Sequence, residues 1–326
     1  MQVQTSFADI EYASRRQRTR REEFLDRMEA IVPWAEWVPL AEAVWPASGG
    51  GPGRPRVPAE RMLRMYLLQQ WFDLSDAACE DACCDSRAMA RFLGISFCGS
   101  DQVPDATTLL HFRRAAEAAG LGGRLLGSLN ALLEREGVMM RGGSIVDATF
   151  VEASGSVKNA ARARDPEMAH GKKGSVWHFG MKLHVGVDAG SGLAHTVAAT
   201  PANVHDSVPA ASLLRPDDLF CHGDSAYSGC ARRGEGGVEW RVSARPSSLR
   251  APDGTTPWAE REVEWRKSAV RSKVEHVFLV VKRHLGGGRC RYRGLAKNRE
   301  RLTALVALAN LALVDRSGRR LSWMPA

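Results

Sequence analysis

GGSIVDATFVEA, Gly142–Ala153, is where this chain stops reading as helix and begins to read as sheet. It has the composition of a strand interior, yet Asp147 stands in its middle. Aspartate is depleted in strands, and an unpaired buried carboxylate is costly. A cation, a proton or a metal would compensate it; an Asp at a bulge, or one bonded to backbone N–H groups, is the structural alternative.

Toward the C-terminus, the polar, basic stretch Lys158–Lys173 predicts a loop or small insertion. Trp177–Thr200 predicts a hairpin turning at Ala189–Gly192, with Asp188 as a turn former. Asn203, His205 and Asp206 precede Val208, Leu213 and Leu214, which predicts a capped helix. A short apolar strand then ends at Gly223 and Asp224, and Val238–Ala244 reads as another strand. Polar residues and prolines fill Arg245–Glu260.

Ser268–Lys282, SAVRSKVEHVFLVVK, predicts one helix. At about 100° per residue, Ser268, Arg271, Glu275 and Lys282 fall within an arc of roughly 60°. Val270, Val274, Val277, Val281 and Leu285 form the neighbouring apolar stripe. Alone, Arg271 and Glu275 would be an ordinary solvated pair. A Gly-rich basic loop, Gly286–Gly294, and a helix from about Ala296 to Val314 close the chain.

Toward the N-terminus, Leu121–Arg135 predicts an amphipathic helix stopped by Gly137. Residues 57 to 113 predict several short helices, a unit of helix-turn-helix type or a plain helical bundle. Cys79, Cys83 and Cys84 lack a second ligand pair at zinc spacing and read as buried structural cysteines. The first fifty residues hold a basic run, Arg15–Arg21, a helix broken at Pro33, and Trp34, Trp37 and Trp45 as an aromatic patch. Ser48–Arg56 is a linker. The expected organisation is a basic, aromatic segment and linker over 1–52, a helical DNA-binding region over 53–137, and an α/β catalytic domain over 138–326 with insertions near 153–176 and 245–262.

The 326 residues carry a formal net charge of +8 and a pI near 9.3, which points to a polyanionic partner. Lys282–Arg301 holds eight Lys or Arg against one acid, Glu300. Seven cysteines without disulfide-framework spacing, and no secretory opening, predict a reducing cytoplasm. The longest apolar run, Leu302–Val314, is too short to span a bilayer, so no membrane role is expected.

An acid in mid-strand, a second at a later strand end and a third on the helix after the sheet follow the order of a ribonuclease H-like mixed-sheet domain. Asp147, Asp224 and Glu275 would supply hard oxygen ligands to two Mg²⁺ ions clamping a phosphodiester, with Mn²⁺ as a possible substitute.

The chain also resembles the bacterial DDE transposases of the insertion-sequence-five group, from about Phe24 to Leu313. The matching stretches include Met62–Asp85, Pro104–Arg113, Ile145–Ala153, Ala163–Met168 (ARDPEM), Lys172–Asp188, Thr200–Asp206, His222–Tyr227 (HGDSAY), Val274–Gly286 and Arg291–Asn298. Arg271, Glu275 and Lys282 fit the family's third-acid signature, and Ser268 stands where a tyrosine is common. The resemblance implies metal-dependent cleavage at transposon ends, then attack of the freed 3′ hydroxyl on target DNA. Asp147, Asp224 and Glu275 would be the metal-binding acids, with Arg271 and Lys282 beside them on phosphate oxygens. Lys172, Lys173, Lys282, Arg283, Arg289, Arg291, Arg293 and Lys297 would bind DNA. The partners implied are double-stranded DNA, as terminal inverted repeats and target, and further copies of the chain in a homo-oligomer on DNA. Its place would be the bacterial cytoplasm, at the nucleoid. A catalytically silent transposase-derived DNA-binding protein, or a nuclease of the same fold, is the alternative.

Overall fold

A computed structural model of the chain describes residues 17–47, 55–95, 101–160, 162–245, 248–250 and 257–324. The start of the basic run, most of the linker and part of the 245–262 insertion lie outside these residues. The chain divides into two compact units, residues 1–121 with 315–326, and 122–314.

The first unit is helical: α1 (Arg20–Ile31), α2 (Trp34–Val44), α3 (Ala59–Trp71), α4 (Asp76–Asp85), α5 (Arg87–Phe92) and α6 (Ala106–Ala118). Side chains set the helix starts. Thr19 and Glu22 form a reciprocal capping box on α1. Ser75 Oγ accepts from Ala78 N on α4, and Asp105 Oδ1 from Thr108 N on α6. The core is apolar and aromatic, with Met62, Leu63, Met65 and Leu68 of α3 fully buried. Trp71 meets Phe24 and Phe92 edge-on at ring-centroid distances of 5.6 Å. Cys79 and Cys83 are buried in α4, and Cys79 Sγ lies 3.7 Å from Met65 O, as structural cysteines would, but Cys84, expected to be buried with them, is exposed to solvent.

The second unit is a mixed α/β fold. Its six-stranded sheet comprises β1 (Gly143–Glu152), β2 (Ala169–Lys173), β3 (Val176–Asp188), β4 (Ala194–Pro201), β5 (Phe220–Gly223) and β6 (Glu239–Val242). The path runs β2-β3-β1-β5-β6, with β4 beside β3. β1 is antiparallel to β3 and parallel to β5, and β5 is parallel to β6. β2 pairs with the first part of β3, through Gly180, and β4 pairs from Met181 on, so the two share one edge. Gly180 is needed at that junction: its φ is +155°, and a Cβ there would meet Val151 O at 2.2 Å.

Four further sequence expectations are corrected. Ala169–Lys173, expected in a loop, forms β2, a polar edge strand without an apolar alternation to betray it. The helix expected after Asn203 is a single 3₁₀ turn, Ala210–Leu213. Asp206 is not a cap but an ion-pair partner of Lys182, 2.8 Å away. The single helix expected over Ser268–Lys282 is α9 (Trp258–Arg271), then α10 (Lys273–Leu279) after a break at Ser272, then a π turn, Val280–His284. The last helix, α11 (Leu295–Arg316), is buried along most of its length, and α7 (Leu121–Arg135) and α8 (Ser228–Arg233) complete the helices.

Two polar networks hold this unit. Asn310 of α11 accepts from Ala194 N at 2.9 Å and donates to Ala194 O at 2.7 Å, serving the first residue of β4 as a strand would. Arg215 joins the buried Asp188 (3.0 Å) and Asp218 (3.2 Å), and Asp218 accepts from Ser144 Oγ at 2.5 Å. Asp188 is a turn former as expected, accepting from Ser191 N at 2.7 Å, and also half of a buried ion pair.

Candidate active site

The parallel register of β1 and β5 sets two acids side by side. Ile145 pairs with His222, so Asp147 and Asp224 each lie two residues beyond a paired position, on the same face of neighbouring strands. Asp224 follows the last residue of β5 and accepts from Ala226 N at 2.9 Å, capping a 3₁₀ turn, Ser225–Tyr227.

Asp147 is nearly enclosed. One oxygen accepts from its neighbour's backbone, Ala148 N, at 2.7 Å; the other lies 3.4 Å from Arg271 Nη1. Burial pushes its carboxyl up to about 6. The negative charges of Asp224 and Glu275 add to that rise, against the Ala148 N–H and the Arg271 cation. Asp147, Asp224, Arg271 and Glu275 therefore share one electrostatic neighbourhood, and it carries more negative charge than its own cation balances. Both alternatives for Asp147, the backbone bond and the cation, are present together.

Glu275 lies in the first turn of α10, whose Val274 and Val277 are fully buried. Its carboxylate is exposed and makes no hydrogen bond or ion pair among the described residues. Lys282 lies in the π turn, where the Leu285 N to Val280 O bond of 3.1 Å adds a residue to the turn. Together with the break at Ser272, this turn interrupts the single helix on which Ser268, Arg271, Glu275 and Lys282 were predicted to share a face. Lys282 remains in the field of Glu275: burial and the Lys173 cation lower its pKa, while Glu152 and Glu275 raise it. Ser268 sits in α9, its carbonyl accepting from Ser272 N at 2.9 Å.

Among the described residues, no three of His, Cys, Asp and Glu converge closely enough to hold one ion. Donor type and charge nonetheless fit a hard divalent cation: three carboxylates, one of them with its proton affinity raised by burial and further by the other two.

The predicted DNA-binding cations spread over several elements. Lys172 and Lys173 are exposed on β2, with Lys172 Nζ 5.7 Å from the Trp177 ring centroid. Arg283, Arg289, Arg293 and Lys297 are exposed, and Arg291 is half-buried. The basic loop is fixed along the end of β1, where Glu152 N donates to Gly288 O at 3.0 Å and Cys290 N to Glu152 O at 2.7 Å. Asp165 and Glu167, whose roles no local pattern announces, accept from Gly294 N and Leu295 N at 2.6 Å each and so cap α11. Tyr227 is fully buried, stacked on Trp240 at 5.9 Å, and its hydroxyl has no partner among the described residues. Burial and the charges of Asp147, Asp206 and Asp224 push its pKa up.

Two family models match the chain. A family model described as a transposase DDE domain matches residues 139–311, just over half of the chain. A second, described as a transposase domain (DUF772), matches residues 13–115.

Proposed function

The chain belongs to the DDE transposase family, enzymes that cut and rejoin DNA in transposition, and we propose that it acts on the inverted-repeat ends of its own insertion sequence, as a member of the insertion-sequence-five group. In this reading the second unit is a ribonuclease H-like catalytic domain, and the helical unit before it holds duplex DNA by a helix-turn-helix-like surface. The observation that carries the reading is that Asp147 and Asp224 each follow by two residues the paired positions Ile145 and His222 of neighbouring parallel strands, with the Asp147 carboxyl raised to about 6 by burial and by the charges of Asp224 and Glu275.

Asp147, Asp224 and Glu275 would hold the divalent ions. Two Mg²⁺ ions, when bound, would assist the attacking oxygen and stabilise the leaving oxygen of the phosphodiester. The remaining work falls to the chain itself. The short parallel ladder between β1 and β5 would set the two carboxylates beside each other at neighbouring strand ends. Glu275, on a helix whose buried valines anchor it, would bring the third carboxylate. Arg271 balances Asp147, and with ions bound its guanidinium is free to meet a phosphate oxygen. Lys282, half-buried beside Glu275 and Lys173, meets another. The cations of β2 and of the basic loop hold the duplex through its phosphates. Cleavage and joining of two ends in concert call for a homo-oligomer on DNA, at the bacterial nucleoid.

The test is Mg²⁺-dependent cleavage and strand transfer on a duplex carrying the inverted repeats that flank the gene. Asp147→Ala, Asp224→Ala and Glu275→Ala should each abolish both, with DNA binding retained. Wild-type rates from either Asp147→Ala or Glu275→Ala would sink the site assignment.

A further inference from the structure

At the carboxyl ends of the parallel strands β5 and β6, beside Asp224, the structure has an open cleft of about 650 Å³. Gly223 of β5 pairs with Val242 of β6, and Ser243 N donates to Gly223 O at 3.0 Å, so the cleft floor is continuous with the strand end that carries Asp224. The carboxyl ends of parallel strands are where open α/β sheets take their ligands. Its volume lies within the range of ligand clefts, roughly 300–1,000 Å³.

The lining is one-sided in its chemistry. Arg232, Arg245 and His205 reach it together with the hydroxyls of Ser207, Ser225 and Ser228, and among the described residues no carboxylate lines it. Arg245 Nε lies 3.4 Å from Ser225 Oγ, which ties that cation to the residue directly after Asp224. Neither Arg232 nor Arg245 pairs with a carboxylate among the described residues, whereas Arg233, next in the chain, pairs with Glu235 at 2.5 Å. Two guanidiniums with no carboxylate partner among the described residues suit a phosphodiester: two charges to neutralise its anionic oxygens, and the Ser225 hydroxyl, whose Oγ accepts from Arg245, to donate beside them.

We infer that this cleft binds the backbone of the DNA strand that continues from the scissile phosphate, with Arg232 and Arg245 on its phosphates. The inference rests on the reading of Asp224 as part of the cleavage site, and it places the strand's exit on the β6 side of the sheet, away from the cations of β2 and the basic loop.

The test is binding, with a chelator present, of the full chain to a duplex carrying one inverted-repeat end, over about 50–200 mM salt. The Arg232→Ala/Arg245→Ala double variant should bind at least about tenfold more weakly. Its slope of log affinity against log salt should be shallower by about 2, since each lost phosphate contact removes about 0.9. The corresponding double Lys variant should restore the slope. If the double Ala variant melts abnormally, each single substitution should still lower the slope by about 1. An unchanged slope and affinity overturn the inference. So does a thermal shift by inorganic phosphate that needs both arginines while the DNA slope stays constant, for that would mark a free-anion site. Failure of wild-type protein to cleave with Mg²⁺, alongside a loss of slope in the variant, would overturn the cleavage reading and leave the DNA cleft standing.

Discussion

Arg271 reaches Asp147 with its Nη1 3.4 Å from Oδ2, while its own Nε is buried with no partner among the described residues. One imperfectly placed cation thus faces a carboxyl that burial and two further acids have pushed up to about 6. The native state holds the Asp147 proton more tightly than the unfolded chain does, so this group lowers stability as pH rises from about 4 to 6, and by a constant amount above that. Asp147→Asn should therefore stabilise the metal-free protein at pH 8, by up to about 3 kcal/mol, and leave it unchanged below pH 4. Urea denaturation with a chelator at both values checks this. Adding Mg²⁺ should raise the midpoint of the wild-type protein and not that of the Asn variant.

His184 and His195 act in the opposite direction. Burial lowers each to about 4 from the usual 6.5. Above pH 6.5 both are neutral in either state and contribute nothing. As pH falls toward 4 the unfolded chain takes up protons that the native state refuses, and each histidine removes about 3 kcal/mol of stability. His184→Gln should flatten about half of that acid limb, read as urea midpoints between pH 7 and 4. An unchanged limb would show that other groups set it.

Asn310→Ala should leave the Ala194 N–H and C=O buried without partners, at a cost of about 2–5 kcal/mol. Asn310→Leu, which keeps the volume, should cost as much, because the loss lies in the hydrogen bonds. Amide exchange should show the start of β4 losing protection before the rest of the sheet.

Asp165→Ala and Glu167→Ala each remove an acceptor from the first turn of α11. Each should cost about 1 kcal/mol and speed exchange at the Gly294 and Leu295 amides, with the far end of the helix unaffected.

The neighbourhood that Asp147, Asp224 and Glu275 share in the structure was in part legible, because Asp147 breaks a local rule. Asp147 stood out as a charge inside a strand, and Asp224 and Glu275 fell into line once the order of strands and helices was read. What escaped was set by distance or by one-residue irregularities. The strand β2 is polar on an edge and carries no alternation. The break at Ser272 and the π turn after Leu279 lie inside an apolar run whose 3.6-residue period looks unbroken. The acids capping α11 lie 128 and 129 residues from the amides they serve, beyond any sequence window. The Arg215, Asp188 and Asp218 cluster hides for the same reason: its members look like turn and loop residues until the chain closes.

The ladder between β1 and β5 holds only three residue pairs, Gly143 with Phe220, Ser144 with Cys221 and Ile145 with His222. A slip of one position there would turn one acid to the opposite face of the sheet while leaving most of the hydrophobic core intact. With the acids in the roles proposed above, strand alignment over those three pairs is a coordinate on which cleavage depends. Mutations that loosen Phe220 or Cys221 should silence the enzyme well before they unfold it, so a copy of this gene drifting without selection would lose its chemistry first and its shape last.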